Sequence, residues 1–330
     1  MSTALDRLSA WPRLTLAGLP TPLVRLDRLA RELSPHGLDL WVKLDAETGF
    51  ALGGNKVRKL EFELEPERLE GVTHLLTAGG PQSNHCRVTA AAAARLGLGC
   101  VLILNGPEPE DPSGNALLHR LFGARVVTVE DRSERSNRME AVASELVASG
   151  HTPRVLPIGA STGLGCLGYA EAALELFAQL DATPEPADQT LVFVPSSSCG
   201  TLAGLVLGRA LAGRTDVTFI GVSADSTEEE ILSDTLRIAK EGAELLGWSE
   251  PIDTEGLRAS DHQVGAGYGI PTEASREATR LFATQAGLVL DPTYTSKGAA
   301  ELVAWVRDGR IPGDARVVFL HTGGAPGLLA

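Results

Sequence analysis

Thr190-Leu191-Val192-Phe193-Val194-Pro195-Ser196-Ser197-Ser198-Cys199-Gly200-Thr201-Leu202-Ala203-Gly204 is the stretch that decides the fold. The apolar run Leu191–Val194 breaks at a proline into a serine turn, and an Ala/Leu/Gly-rich helix opens at Gly200. An apolar run without period-two alternation is buried on both faces, as strands of parallel sheets are. The same unit recurs along the chain. Strands are expected at Leu38–Lys43, His74–Ala78, Cys100–Leu104, Arg125–Val129, Arg154–Ile158, Thr190–Val194, Thr218–Val222 and Arg316–Leu320. Helices are expected between them, at Lys59–Glu70, Asn84–Leu96, Ser113–Phe122, Arg135–Ala148, Gly165–Leu180, Gly200–Leu211, Glu228–Leu246, Thr272–Gln285 and Lys297–Asp308. This alternation predicts an α/β fold with mostly parallel, twisted sheets and a ligand in a crevice beyond the strand ends. Asp181–Gln189, polar and proline-rich, reads as a connector.

The chain has 330 residues, 43% of them hydrophobic and 22% charged, enough to bury a sizeable core and too apolar for disorder. With 29 Lys and Arg against 42 Asp and Glu, the formal charge is −13. Such a surface repels phosphate backbones and anionic lipid, so no nucleic-acid or membrane partner is expected. The four cysteines (Cys86, Cys100, Cys166, Cys199) show no metal-binding or disulfide spacing, and no metal is expected. The first nineteen residues lack the apolar core of a signal peptide, and Thr89–Leu104, the longest apolar stretch, is interrupted by Arg95 and glycines. A cytoplasmic protein is expected, with small molecules or copies of itself as partners.

Several turns carry candidate chemistry. In Gly53-Gly54-Asn55-Lys56-Val57-Arg58-Lys59 two glycines allow a tight turn and three cations follow. A lysine held there, partly desolvated, becomes a nucleophile, and a second lysine three residues on can serve a neighbouring anion. In Gln82-Ser83-Asn84-His85, Ser and Asn are ordinary N-cap residues, yet with the free N–H groups of a helix start they also suit an anionic ligand. The turn at Ser196–Thr201 reads as a phosphate cup and lacks the lysine of a Walker loop. Gly163-Leu164-Gly165-Cys166-Leu167-Gly168 matches the dinucleotide fingerprint G-x-G-x-x-G, which leaves a nicotinamide oxidoreductase as a remote alternative; the match lies mid-chain, and some twenty residues on the chain is in the polar connector around Glu185 and Asp188, not at the end of a second strand. Of the three tyrosines, Tyr268 and Tyr294 fall in glycine- and proline-rich loops, and Thr322 follows the last strand.

Together, Gly53–Leu64 (GGNKVRKLEFEL), Gln82–His85 (QSNH), Ser197–Gly204 (SSCGTLAG), Gly265–Pro271 (GAGYGIP), Leu290–Gly298 (LDPTYTSKG) and His321–Leu328 (HTGGAPGL) resemble, in order, the motifs of the pyridoxal-phosphate-dependent D-cysteine desulfhydrase and 1-aminocyclopropane-1-carboxylate (ACC) deaminase family. The resemblance implies a tryptophan-synthase-β-like fold (fold type II) of two domains. Residues 1–58 and 166–330 would form the larger, cofactor-binding domain and 59–165 the smaller. Lys56 would carry pyridoxal 5′-phosphate covalently and move the substrate's Cα proton. Lys59 and the N–H groups of Ser198, Cys199, Gly200 and Thr201 would hold the phosphate, Asn84 the 3′-oxygen, and Thr322 the pyridine nitrogen. Gln82, Ser83 and His85 would bind the substrate, a small amino acid, at its carboxylate. Ser83, Tyr268 and Tyr294 would take part in catalysis.

The implied reaction is β-elimination, with D-cysteine giving pyruvate, sulfide and ammonia. In that family ACC deaminases carry Glu after the second tyrosine and Leu for the threonine of HTGG; this chain has Thr295 and Thr322, which favours the desulfhydrase. L-cysteate sulfo-lyase and ACC deaminase activity are the alternatives on the same scaffold, and a homodimer is the assembly the resemblance implies. Pro81, Cys86 and Val88 depart from the family pattern beside the QSNH turn.

Overall fold

The computed structural model describes residues 3–34 and 37–330. Its strands are β1 (Leu23–Arg25), β2 (Asp39–Lys43), β3 (His74–Gly79), β4 (Gly99–Asn105), β5 (Arg125–Val129), β6 (Pro153–Val155), β7 (Thr190–Ser196), β8 (Val217–Ser223), β9 (Leu257–Ser260) and β10 (Arg316–Leu320). They form two sheets. One has the order β1-β2-β10-β7-β8-β9 and is parallel except at its edge, where β1 runs antiparallel to β2; the other, β5-β4-β3-β6, is wholly parallel. The fold class is α/β, with helices covering both sheets.

The helices are α1 (Ala4–Ser9), α2 (Asp27–Leu33), α3 (Lys56–Glu63), α4 (Asn84–Leu96), α5 (Gly114–Leu121), α6 (Arg135–Ala148), α7 (Gly163–Asp181), α8 (Gly200–Ala212), α9 (Glu228–Leu245), α10 (Glu273–Ala286) and α11 (Thr295–Arg307). Their starts follow local chemistry. The Ser83 hydroxyl accepts from Cys86 N at 3.2 Å to cap α4, which ends at Gly97 in the left-handed conformation. Thr227 and Thr272 form capping boxes at α9 and α10. Every residue of β7, β8 and β10 is buried, as their apolar runs require.

Some expected bounds move. α3 begins at Lys56 and ends before Pro66, because a proline at that point cannot continue the helix and restricts the residue before it. The strand expected at Arg154–Ile158 stops at Val155, two residues before Pro157. The four-stranded sheet lies within residues 74–155, and the expected division points 58/59 and 165/166 fall inside α3 and α7. Those two helices pack closely: a Cβ at Gly168 would lie 2.2 Å from the Arg58 carbonyl oxygen. Gly163 and Gly165 are equally tight, against Glu241 and against the Ala160 carbonyl. The G-x-G-x-x-G match is therefore a helix-packing face and not a dinucleotide turn, which removes the nicotinamide reading.

Behind α3 lies a buried ion network. Arg58 Nη2 donates to Asp45 Oδ1 at 3.0 Å and to Glu175 Oε1 at 2.8 Å, and its Nε donates to Asp45 Oδ2 at 3.0 Å. Lys43 joins through Glu175, and the Tyr169 hydroxyl donates to Asp45 Oδ2 at 2.5 Å. Burial pushes Asp45 up, but the Arg58 guanidinium outweighs it and holds the carboxyl below its ordinary range. No helix among the described residues is long and apolar enough to cross a membrane.

Candidate active site

The carboxyl ends of strands from both sheets open on one cavity of about 520 Å³. The turns after β3, β6, β7, β8 and β10 line it, with the start of α3 and the first turns before α6. Strand ends of parallel sheets collect free N–H groups and helix starts, which is why ligands gather there.

Lys56 reaches the cavity from a turn only glycine can make: Gly53 has φ 68°, and a Cβ there would lie 1.9 Å from the Ala46 carbonyl oxygen. Burial lowers the Lys56 ammonium to about 8. Its Nζ lies 3.5 Å from Ser198 Oγ, which is 2.8 Å from Ser161 Oγ, and Lys59 Nζ donates to Ser161 at 3.1 Å. Burial, and then the Lys56 charge, push Lys59 well below an ordinary lysine. A half-buried amine, Lys56, and a buried one, Lys59, thus share a hydroxyl chain with no carboxylate in it.

Cys199 sits at the N-cap of α8 with φ 59°, a left-handed conformation that turns successive N–H groups into one concavity. The N–H groups of Ser198, Cys199 and Thr201 have no protein acceptor among the described residues, while Gly200 N donates to Ser198 O at 2.8 Å. Burial raises the Cys199 thiol to about 11, so it stays protonated. Asn55 ties the site together. Its Nδ2 donates to Thr201 Oγ1 at 2.9 Å and its N–H to the Thr322 carbonyl at 3.0 Å.

Ser83, Asn84 and His85 line the opposite wall. Asn115 Nδ2 donates to Asn84 Oδ1 at 2.9 Å, which leaves the Asn84 NH₂ for the cavity. Thr77 Oγ1 donates to Leu156 O at 2.8 Å and so accepts from His85 Nε2 at 2.9 Å; His85 Nδ1 is left a buried acceptor without a partner among the described residues. Burial pushes His85 far below its ordinary pKa, so it is neutral. Gln82 does not line the cavity. Its Oε1 accepts from Asn115 N at 2.7 Å and its Nε2 donates to Ser113 O at 3.2 Å, so it holds α5 in place and does not face a substrate.

The Tyr268 and Tyr294 hydroxyls share a short hydrogen bond, their rings edge to face at 5.8 Å. Burial raises both phenols, Tyr294 further, and both remain protonated. Asp291 positions Tyr294 by accepting from its N–H and from that of Thr293, each at 2.9 Å. Lys297 anchors the Tyr268 loop, donating to the carbonyls of Val264 and Gly267 at 2.8 and 2.9 Å. Thr322 faces the cavity, but Thr295 does not: its hydroxyl donates to Asp291 Oδ1 at 2.7 Å and is fully buried.

Five residues that the sequence reading left without a role belong to the site: Asn55, Ser161, Arg132, Arg135 and Asp225. Asn55 and Ser161 stood inside quoted or neighbouring turns. The other three come from chain ends of β5 and β8 that no motif marks.

A family model described as pyridoxal-phosphate dependent enzyme matches residues 14–323. D-cysteine desulfhydrases of Salmonella newport and Salmonella typhi are each 38% identical, over 99% of this chain and 98% of theirs. A crystal structure of an ACC deaminase homologue superposes with a TM-score of 0.87 at 33% identity, covering 100% of this chain and 97% of its own. The processed form of threonine deaminase isoform 2 from Solanum lycopersicum shares the fold, with a TM-score of 0.66 at 17% identity over 97% of this chain and 83% of its own. With its lysine pair, its N–H cup and its parallel sheets in these places, the chain belongs to the pyridoxal-phosphate-dependent enzymes.

Proposed function

We propose that this protein is a carbon–sulfur lyase that uses pyridoxal phosphate to eliminate the β-substituent of D-cysteine, giving pyruvate, sulfide and ammonia. The observation that carries the reading is the lysine pair, Lys59 buried and Lys56 half-buried, beside the unsatisfied N–H cup, an anion site joined to an amine that opens on a cavity. The residues fit the cofactor. Ser198, Cys199 and Thr201 offer N–H groups without acceptors, Lys59 adds charge, and Thr322 offers a neutral hydroxyl to the ring nitrogen. When bound, pyridoxal phosphate supplies the electron sink that acidifies the substrate's Cα–H. The 38% identity to D-cysteine desulfhydrases supports the choice of substrate.

The chain's own groups do the rest. The Lys56 amine takes the Cα proton. The neutral N–H groups opening α4, with Ser83, hold the carboxylate. The protonated Tyr268–Tyr294 pair supplies a proton to the leaving sulfur without carrying a charge into the cavity. Purified protein with added pyridoxal phosphate is expected to release pyruvate and sulfide in equal amounts from D-cysteine; pyruvate without sulfide, or neither, would overturn the reading.

Two further outcomes follow from the lysines. Lys56 attacks an aldehyde only as the free amine. Capture of added pyridoxal phosphate, followed by visible absorbance, is therefore expected to quicken about tenfold per pH unit below 8 and to level off above it. Inorganic phosphate is expected to stabilise the cofactor-free protein, by about 2.7 kcal/mol at a hundredfold excess over Kd. Lys59→Met removes a desolvated charge; it is expected to leave thermal stability equal or higher while abolishing most of that response, and an unchanged response would place the anion elsewhere.

The reading extends to a homodimer in the cytoplasm. Leu117 and Leu121 on α5 and Leu328 and Leu329 in the turn packed on it are exposed and supply apolar surface for a self-contact. Sedimentation would show a dimer or a monomer.

A further inference from the structure

Tyr268 stands on a loop that its own backbone holds only weakly. Gly265, Gly267 and Gly269 have positive φ of 62°, 136° and 73°, and the loop's internal bonds, from Gly267 N to Val264 O and from Ile270 N to Gly267 O, are each 3.3 Å long. Glycine at every second position adds conformational freedom that must be overcome to fix a tyrosine between them. The restraint comes from α11. Lys297, fully buried on the first turn of that helix, donates to the carbonyls of Val264 at 2.8 Å, Gly267 at 2.9 Å and Ala224 at 3.1 Å. One turn on, the buried Glu301 accepts from Ser260 Oγ at 2.7 Å and from Gln263 Nε2 at 3.0 Å, which fixes the entry to the loop.

The third carbonyl belongs to a different wall. Ala224 follows β8, and its own N–H donates to Ser196 O at 2.9 Å, where β7 enters the N–H cup. One ammonium therefore ties the tyrosine loop to the cup side of the cavity, and the helix that carries it has Tyr294 as its N-cap. The Asp225 charge reaches Lys297 only from a distance, and no carboxylate accepts a bond from it among the described residues. Stability alone is poorly served by a buried ammonium without a counter-ion. Three donors on one atom are well suited to fixing three carbonyls at once.

We infer that Lys297 is a positioning residue for proton delivery to the leaving group: by holding three backbone carbonyls from two walls of the cavity, it sets the Tyr268 hydroxyl against that of Tyr294. This rests on the reading given under Proposed function. There the Cα proton passes to Lys56 and the Cβ–S bond breaks with its electron pair on sulfur. The tyrosine pair gives that sulfur one proton, and solvent returns a proton to the phenolate. A leaving group that needs no proton does not depend on Lys297.

The test compares turnover of D-cysteine by the holoenzyme with turnover of 3-chloro-D-alanine, whose chloride departs without a proton. Lys297→Met keeps the apolar stem and removes the donors. It is expected to lower kcat for D-cysteine at least about tenfold, part of the roughly 10²–10⁴ that a positioned proton donor supplies, and to change kcat for 3-chloro-D-alanine less than about threefold. Lys297→Ala is expected to show the same split and, with room left at the three carbonyls, to regain D-cysteine turnover in ammonium chloride but not in tetramethylammonium chloride. Equal losses on both substrates, or failure of both variants to fold, would make Lys297 a structural residue, and no loss on either would leave the tyrosines set without it; each of these overturns the inference. Amide exchange over residues 264–270 reads the tether without turnover. It is expected to quicken at least about tenfold in Lys297→Met, and unchanged exchange overturns the inference. A native protein that releases nothing from D-cysteine loses the proposed function, and the exchange result then decides Lys297 alone.

Discussion

Lys56→Ala is expected to leave the protein folded and to lower pyruvate release from D-cysteine by roughly 10³-fold or more. Proton transfer by a positioned side chain alone is worth about 10²–10⁴, and Lys56 also serves as the covalent anchor. Among the described residues no carboxylate pairs with Lys56, so its removal leaves no buried partner uncompensated; its neighbours are the Ser198 hydroxyl, Lys59 and Cys199. The thermal midpoint should therefore hold within a degree or two of the native protein while visible absorbance from added cofactor is lost. Lys59 cannot substitute, because its Nζ lies behind Ser161 and is fully buried. Activity of Lys56→Ala within tenfold of native would remove Lys56 from the chemistry.

The second large effect is on stability. Asp45→Ala strips Arg58 of its fully buried, two-oxygen counter-ion, and breaking one partner of a buried pair costs about 3–5 kcal/mol. The loss also reaches the site, since Arg58 lies two residues from Lys56 on the first turn of α3. Denaturant midpoints measure the first effect and cofactor affinity the second. The double change Asp45→Ala with Arg58→Met, which removes both charges, is expected to recover much of the loss. A single-variant cost under about 1 kcal/mol would show that Glu175 alone satisfies Arg58.

The α/β class was legible because β7, β8 and β10 each carry a run of apolar residues without alternation, as strands buried on both faces do. The edge strands β1 and β9 were not: Leu23–Arg25 and Leu257–Ser260 are too short and too mixed to register as periods. Among site residues, Lys56, Asn84, Ser198 and Thr322 stand in turns whose glycines and caps announce them. Gln82 misled because its neighbour Ser83 faces the cavity, and an extended turn points adjacent side chains to different sides. Thr295, which sets the chain apart from ACC deaminases in sequence, is spent on structure: a hydroxyl at a helix start is drawn to the nearest capping carboxylate, here Asp291. Arg135 and Asp225 carry no local signal at all. They meet the site only because two sheets bring their strand ends to one cavity, which is long-range information that a motif does not hold.

Everything assigned to the cavity depends on Lys56 being the residue that carries the cofactor. Reduction of the holoenzyme with borohydride, followed by proteolysis and mass spectrometry, locates that residue directly. The expected result is a pyridoxyl group on Lys56 alone, at close to one per chain; modification on Lys59, on another lysine, or on none would contradict it.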